Sequence, residues 1–435
     1  MFDKSKSIPI HKGWPVLANI VPFLNDLFYY PQTLKNLYGP LFQMKIPSYN
    51  PIFIFDPDAI HHVLTQNHQN YKKSKDYDTL KITLGQGLLT NEGESWKRIR
   101  KELQPYFFEN VMNQFIGSMF RHSQALVSSW KKNNADIHIN PLMKNLTLQI
   151  GSEAFFGQDL SKLTVNIPAV VDRLNALGVK KMRFPRNAIP YKIPTPLHLA
   201  LRSTIKCLDK QIIDLINTAD GNSYNLLNLL LNNPNLSTQQ IRDELVTFLI
   251  AGYETTANTM MFTIALLANH QDIQAEICDE VKAQALEPQN YKNWPKQFPL
   301  LYACIKESLR LYPPAWMIGR SAINDDNIQG YFIPKNSTII IDLFLLHRQE
   351  NFFSEPELFK PKRFITDTIE KNTYLPFGGG PRVCIGQHFS MLEMISIFHH
   401  ILSNFRLESV QSKIVCEPLV TLTPKYPIII RAIAV

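Results

Sequence analysis

Ten residues, Phe377 to Gly386 (FGGGPRVCIG), constrain this chain more than any other stretch. They set one cysteine on a glycine-rich loop directly before an amphipathic helix, read over Gln387 to about Leu402. Glycine admits positive φ and a close backbone approach that a side chain would block. A cysteine near a helix N-terminus meets the positive end of the macrodipole and unpaired N–H groups, which favours the thiolate. A thiolate binds metal, so Cys384 is the first candidate ligand; the competing reading is a buried structural cysteine on a tight turn.

Phe377, Gly380, Arg382, Cys384 and Gly386 fit Phe-x-x-Gly-x-Arg-x-Cys-x-Gly at every fixed position. The segment resembles the axial-ligand loop of the cytochromes P-450. That resemblance implies haem b with Cys384 as the axial ligand to iron, its thiolate pushing electron density toward dioxygen. It also implies that Phe377 shields the sulphur, that loop N–H groups donate to it, and that Arg382 reaches a haem propionate. The implied fold is mainly α with minor β, one domain over residues 1–435, with haem between a long central helix and the cysteine loop.

With 435 residues the chain can bury a large core. Its formal net charge of +8 comes without a finger, a helix-turn-helix or a basic arm, so no nucleic-acid role is read. In the family such charge suits docking of an acidic electron carrier. Five cysteines (207, 278, 304, 384, 416) at scattered spacing fit a reducing, cytoplasmic setting. Lys4, Lys6, Lys12 and prolines interrupt the N-terminal apolar stretch, so neither signal peptide nor transmembrane anchor is expected. The chain thus resembles the soluble, anchorless, mostly bacterial members, and a monomer is expected. Leu177–Leu199, with Lys180, Lys181, Arg183 and four prolines, leaves peripheral membrane contact open, and its proline-rich part near Pro185–Pro196 leaves the reading as a lid open.

Alternating β-branched and aromatic residues predict strands at PLFQMKI and NPIFIFD, near 337–343, and in the tail. Ser237 and Gln240 form a capping box, after which an apolar pattern runs to about Ala268. Inside it stands Ala251-Gly252-Tyr253-Glu254-Thr255-Thr256. The Thr255 hydroxyl can bond back to the Ala251 carbonyl, which would bend the helix, open a groove and explain a glycine that costs ~1 kcal/mol against alanine. The motif is similar to the family's Ala/Gly-Gly-x-Asp/Glu-Thr-Thr. Glu254 and Thr255 are therefore the expected catalytic acid–alcohol pair relaying protons to oxygen; without the resemblance, Gly-x-x-Thr reads as packing.

Glu307 and Arg310 stand three apart on an otherwise apolar helix, as a surface pair or an inward one. The resemblance adds Arg363 of Pro361-Lys-Arg-Phe to make a structural Glu–Arg–Arg network. It also makes Trp96, Arg100 and Arg320 propionate ligands and His347 structural. Lys97, Arg98 and Lys101 are candidates for redox-partner docking. Residues read as facing substrate are Leu88, Leu89, Ile250, Ala251, Ala315, Trp316, Met317 and Val420. None is charged, and only the Trp316 indole offers a donor, so the substrate is expected to be a lipophilic small molecule.

The implied activity is a haem-thiolate monooxygenase. It would insert one oxygen atom from O2, by hydroxylation or epoxidation, with NAD(P)H-derived electrons arriving through a separate reductase and ferredoxin or flavodoxin. With a short stretch of chain after the ligand helix, a fused reductase is not expected. A peroxide-using or rearranging enzyme of the same fold is one alternative, and the Glu254–Thr255 pair argues against it. A haem-based sensor or carrier is the non-enzyme alternative; it would require no proton relay.

Overall fold

Ser237 starts the longest helix of the chain. Its Oγ accepts the Gln240 N–H at 3.3 Å while Gln240 Oε1 accepts the Ser237 N–H at 2.9 Å, so the capping box forms as read. The helix then runs Thr238–Asn269 without interruption. A helix apolar on all sides must be covered on all sides. This one packs along the Ile139–Phe156 helix and touches the Pro299–Leu311 helix and the Phe405–Ser409 strand. The computed structural model describes residues 6–14, 18–47, 49–131, 136–162, 165–182, 189–221, 223–410 and 413–435.

Helices dominate, and the strands form small sheets. The largest has six strands in the order Ile10–His11, Leu41–Met44, Ile52–Ile54, Thr338–Asp342, Met317–Ala322, Tyr71–Lys73. Leu41 pairs antiparallel with Ile54, while Ile52 pairs parallel with Ile339, so early and late segments share one sheet. Thr338 to Asp342 are all buried, as a central strand of β-branched residues requires. On the sheet's edge, Lys73 stands opposite Arg320. The tail strand Ile429–Ala434 lies between Phe405–Ser409 and Ile137–His138. Cys416–Pro418 and Leu422–Pro424 form a separate hairpin.

Among the described residues no helix is long and apolar enough to cross a membrane. The basic cluster read near Leu177–Leu199 is smaller than its sequence suggests. Lys181 is buried, its Nζ donating to the Ile189 carbonyl at 3.0 Å. Lys180 is exposed, and Arg183 lies outside the described residues.

Candidate active site

The Cys384 loop is built on backbone constraints. Gly380 has φ +66°, and a Cβ there would stand 1.8 Å from the Leu64 carbonyl oxygen, so only glycine fits. A single 3-10 turn, Gly380–Arg382, leads to Cys384, whose N–H donates to the Phe377 carbonyl at 2.9 Å and closes the loop. The Gly386 N–H points at the sulphur and helps hold its charge. Gly386 then caps the Gln387–Leu402 helix. Cys384 is an exposed residue, and beside Gly386 a Cβ would meet nothing within 4 Å.

In the chain alone, burial opposes the thiolate that the helix end favours. Burial by surrounding protein pushes the Cys384 thiol up, and the Gly386 N–H and Arg100 oppose this only in part. Cys384 sits two residues before the helix cap, and desolvation outweighs the helix end. Cys384 thus keeps accessible surface while protein atoms crowd around it.

Cations gather beside the loop. Arg382 Nη1 donates to the Asn91 carbonyl at 2.7 Å and Nη2 to Glu92 Oε2 at 2.6 Å, and its guanidinium lies over the Trp96 ring at 3.7 Å. Glu92 Oε1 accepts the backbone N–H of Lys73 at 2.8 Å, and Lys73 stands across the strand pair from Arg320. Arg100, on the Gly93–Leu103 helix that carries Trp96, acts electrostatically on Cys384. Burial holds Arg382 down to about 10, with Arg320 and Arg100 adding to it against Glu92. Burial likewise lowers Lys73, and Arg320 and Arg382 push the same way. The Arg100 Nε–H is buried without a partner. Glu92 is paired with Arg382 and acts on Lys73, while Arg320 and Arg100 add to the positive charge around Arg382, so cations outnumber the acid here. A dianionic group would balance that charge, and the unpartnered Arg100 Nε–H and the surrounding cations fit the propionates of haem.

Sequence reasoning brought Trp96, Arg100, Arg320 and Arg382 to this place and missed Lys73, Asn91 and Glu92. Strand alternation carried a signal for Lys73. It shares a strand face with Tyr71, which is buried.

From Ile241 to Ala268 the central helix is buried at every position except Ile250, Ala251, Gly252 and Thr255. Ala251 and Thr255 are one turn apart, so these residues form an accessible stripe. The Thr255 hydroxyl donates to the Ala251 carbonyl at 2.7 Å, as the spacing predicts. Gly252 has a different reason from the one expected. A Cβ on it would lie 2.8 Å from Phe155 Cε2, so glycine makes room for that ring, and the helix stays α-helical throughout. Glu254 is buried, and burial pushes its carboxyl up against the hydrogen bonds from Thr421 and Asn175 and the charge of Lys144.

With this arrangement in place, comparison with known proteins decides the family. A family model for cytochrome P450 matches residues 8–431. The chain belongs to the cytochrome P450 family. Cytochrome P450 132 of Mycobacterium tuberculosis is 30% identical over 399 residues, 86% of each chain. Cytochrome P450 3A9 of Rattus norvegicus is 27% identical over 437 residues, 93% of this chain and 86% of the relative. Cytochrome P450 4d2 of Drosophila melanogaster is 29% identical over 440 residues, 89% and 87%. The protein is therefore a haem-thiolate monooxygenase in the general sense, an oxidoreductase of P450 fold.

In this P450 the Glu307–Arg310 pair is inward, and Arg363 joins it at 3.2 Å. His347 is fully buried and accepts the Leu375 N–H on Nε2 at 2.9 Å, tying the same region to the segment before the loop. Burial drives its ring down to about 3, so it stays neutral. The residues read as facing substrate separate. Ala251, Leu89 and Ala315 are exposed, Ile250, Met317 and Val420 are half-buried, and Leu88 is in the core. The Trp316 indole N–H is already committed to the Leu419 carbonyl at 3.1 Å, and the ring meets Phe28 edge-on. A surface cleft of about 390 Å³ bordered by Tyr29, Lys35, Arg348 and Glu357 shares no lining residue with the loop or the stripe.

Proposed function

We propose that this P450 inserts one oxygen atom from O2 into a C–H bond or double bond of a lipophilic substrate, with NAD(P)H-derived electrons delivered by separate proteins. The carrying observation is the pairing, on consecutive residues of one buried helix, of an accessible hydroxyl at Thr255 and a buried carboxyl at Glu254.

Haem, when bound, supplies the iron at which O2 is reduced. Cys384 would hold it through sulphur, with the Gly386 N–H supporting that charge. Arg100, Arg320, Arg382, Lys73 and Trp96 would hold the propionates. Thr255 spends its own proton on the Ala251 carbonyl, which orients its oxygen to accept a hydrogen bond and so to fix the group that receives the proton. Glu254 would supply the proton that oxygen takes up, because burial favours its neutral form. Ile250 and Ala251 give the stripe an apolar wall, which suits a lipophilic substrate.

Lys97, Arg98 and Lys101 are exposed on the helix whose other face carries Trp96, and that surface suits an acidic ferredoxin or flavodoxin. Residues 1–435 would act as one domain. The test uses a substrate found by spin-state shift and a surrogate ferredoxin with its reductase. Thr255→Ala should keep consuming NAD(P)H while product falls and hydrogen peroxide rises; unchanged coupling would contradict the relay.

A further inference from the structure

Glu254 stands on the central helix, but two other parts of the chain hold its carboxyl. Asn175 Nδ2, from the Ile167–Met182 helix, donates to Glu254 Oε1 at 2.7 Å. Thr421 Oγ1, in the turn between the Cys416–Pro418 and Leu422–Pro424 strands, donates to the same oxygen at 2.7 Å. Thr421 Oγ1 in turn accepts from Asn258 Nδ2 at 3.1 Å, which leaves its single proton free to point at Glu254. An amide NH2 can only donate. Oε1 is therefore engaged twice, while among the described residues Oε2 takes no hydrogen bond.

Two donors on one oxygen decide where a carboxyl carries its proton. Protonating Oε1 would sacrifice one of the two bonds, whereas protonating Oε2 sacrifices neither. The same donors stabilise the charged form that burial disfavours. A fully buried carboxyl with no donor stays neutral across the working pH range and cannot cycle; one stabilised by two donors can give up a proton and take it back.

We propose that Asn175 and Thr421 are positioning residues for oxygen activation, holding Glu254 Oε1 so that the carboxyl takes up and releases its proton at Oε2. This rests on the relay reading given under Proposed function. The charged and titratable groups facing Glu254 are Lys144, Asp172 and Tyr253. Lys144 and Asp172 pair with each other at 2.5 Å, Lys144 from the Ile139–Phe156 helix and Asp172 from the helix that carries Asn175. Asp172 and Asn175 are three apart on one helix, so this edge carries both a charge pair and the amide that steers the acid.

The test is infrared difference spectroscopy on the ferric, substrate-free holoenzyme, with the Glu254 band assigned as the carboxyl stretch missing in Glu254→Gln. In Thr421→Val and in Asn175→Ala that band should shift to higher frequency. Its titration midpoint should rise by about one to two pH units, as expected for one lost charge-assisted hydrogen bond. The hydrogen peroxide fraction should rise with it, and Thr421→Ser should restore all three. An unmoved band and midpoint in both variants would overturn the positioning role and leave the relay standing. A normal peroxide fraction in Glu254→Gln would instead overturn the relay reading itself, and the positioning role with it. The two variants lie on separate elements, so failure of one to fold leaves the other to decide.

Discussion

Arg310 grips Glu307 through two parallel hydrogen bonds of 2.8 Å each, with neither side chain exposed. The Lys360 N–H adds a third donor at 2.9 Å, and Arg310 spends its remaining protons on the carbonyls of His347, Pro356 and Leu358. At the surface an i,i+3 pair contributes ~0.2–0.5 kcal/mol. Removing one partner from a buried pair costs ~3–5 kcal/mol, because the other charge is left unpaired. Glu307→Ala should therefore lose soluble, haem-loaded protein. Glu94→Ala, which breaks the exposed Lys97–Glu94 pair, should change stability by less than ~1 kcal/mol. Purified yield and haem content read the first, and thermal unfolding the second; a normal Glu307→Ala holoprotein would contradict the network's role.

Gly252 pits helix propensity against packing. Alanine is better than glycine in a helix by ~1 kcal/mol, but its Cβ would come within 2.8 Å of a Phe155 ring already packed on Phe107, Phe248 and Phe389. Overpacking of this kind costs ~1–3 kcal/mol. Gly252→Ala should destabilise the protein, and in a Phe155→Leu background the same change should become neutral or stabilising. Denaturant unfolding of the four proteins closes the cycle. A stabilising Gly252→Ala in the wild-type background would show that the ring yields freely.

What could be read in the sequence followed from chain neighbours. The capping box at Ser237, the Thr255–Ala251 bond and the bounds of the helix after Cys384 depend on residues three or four apart or on an uninterrupted pattern. The apolar residues around Glu307 pointed to an inward face but left a surface pair open, and burial decides for the first. What could not be read depends on partners distant along the chain. Lys73 meets Arg320 through strand register, Arg382 reaches back to Glu92, and Glu254 is held by Asn175 and Thr421. The burial around Cys384 was hidden for a related reason: a helix end can be seen in sequence, whereas the desolvation that opposes it comes from the whole fold.

Glu244 gives the protein a pH-dependent stability term. It is buried on the central helix and accepts the Leu88 N–H at 2.9 Å; burial raises its carboxyl from 4.5 to about 8, with the Asp243 charge adding a smaller push. Because the folded-state value lies above the unfolded one, the folded chain binds more protons between those two pH values. The contribution is fully present below pH 4.5 and is lost as pH rises through 8. Glu244→Gln fixes the neutral form. Its melting temperature relative to wild type should therefore rise steadily between pH 5.5 and pH 8.5, whatever its starting sign. A difference that does not change with pH would contradict burial as the cause.

Lys73 should take part in retaining haem. Replacing it with methionine keeps most of the stem and removes the charge. The loss of one charge-assisted hydrogen bond, ~1.5–3 kcal/mol, would speed haem transfer to excess apomyoglobin roughly 10- to 100-fold. Lys97→Met, on the exposed face of the neighbouring helix, should leave that rate unchanged. Equal rates for Lys73→Met and wild type would remove Lys73 from the cradle.

The most direct test of the account is the absorption spectrum of the dithionite-reduced protein with and without carbon monoxide, for wild type and Cys384→Ala. Cys384 ligation predicts a strongly red-shifted Soret band in wild type and its loss, with or without haem, in the variant. A histidine-type band in wild type, or a red-shifted band that survives Cys384→Ala, would contradict it.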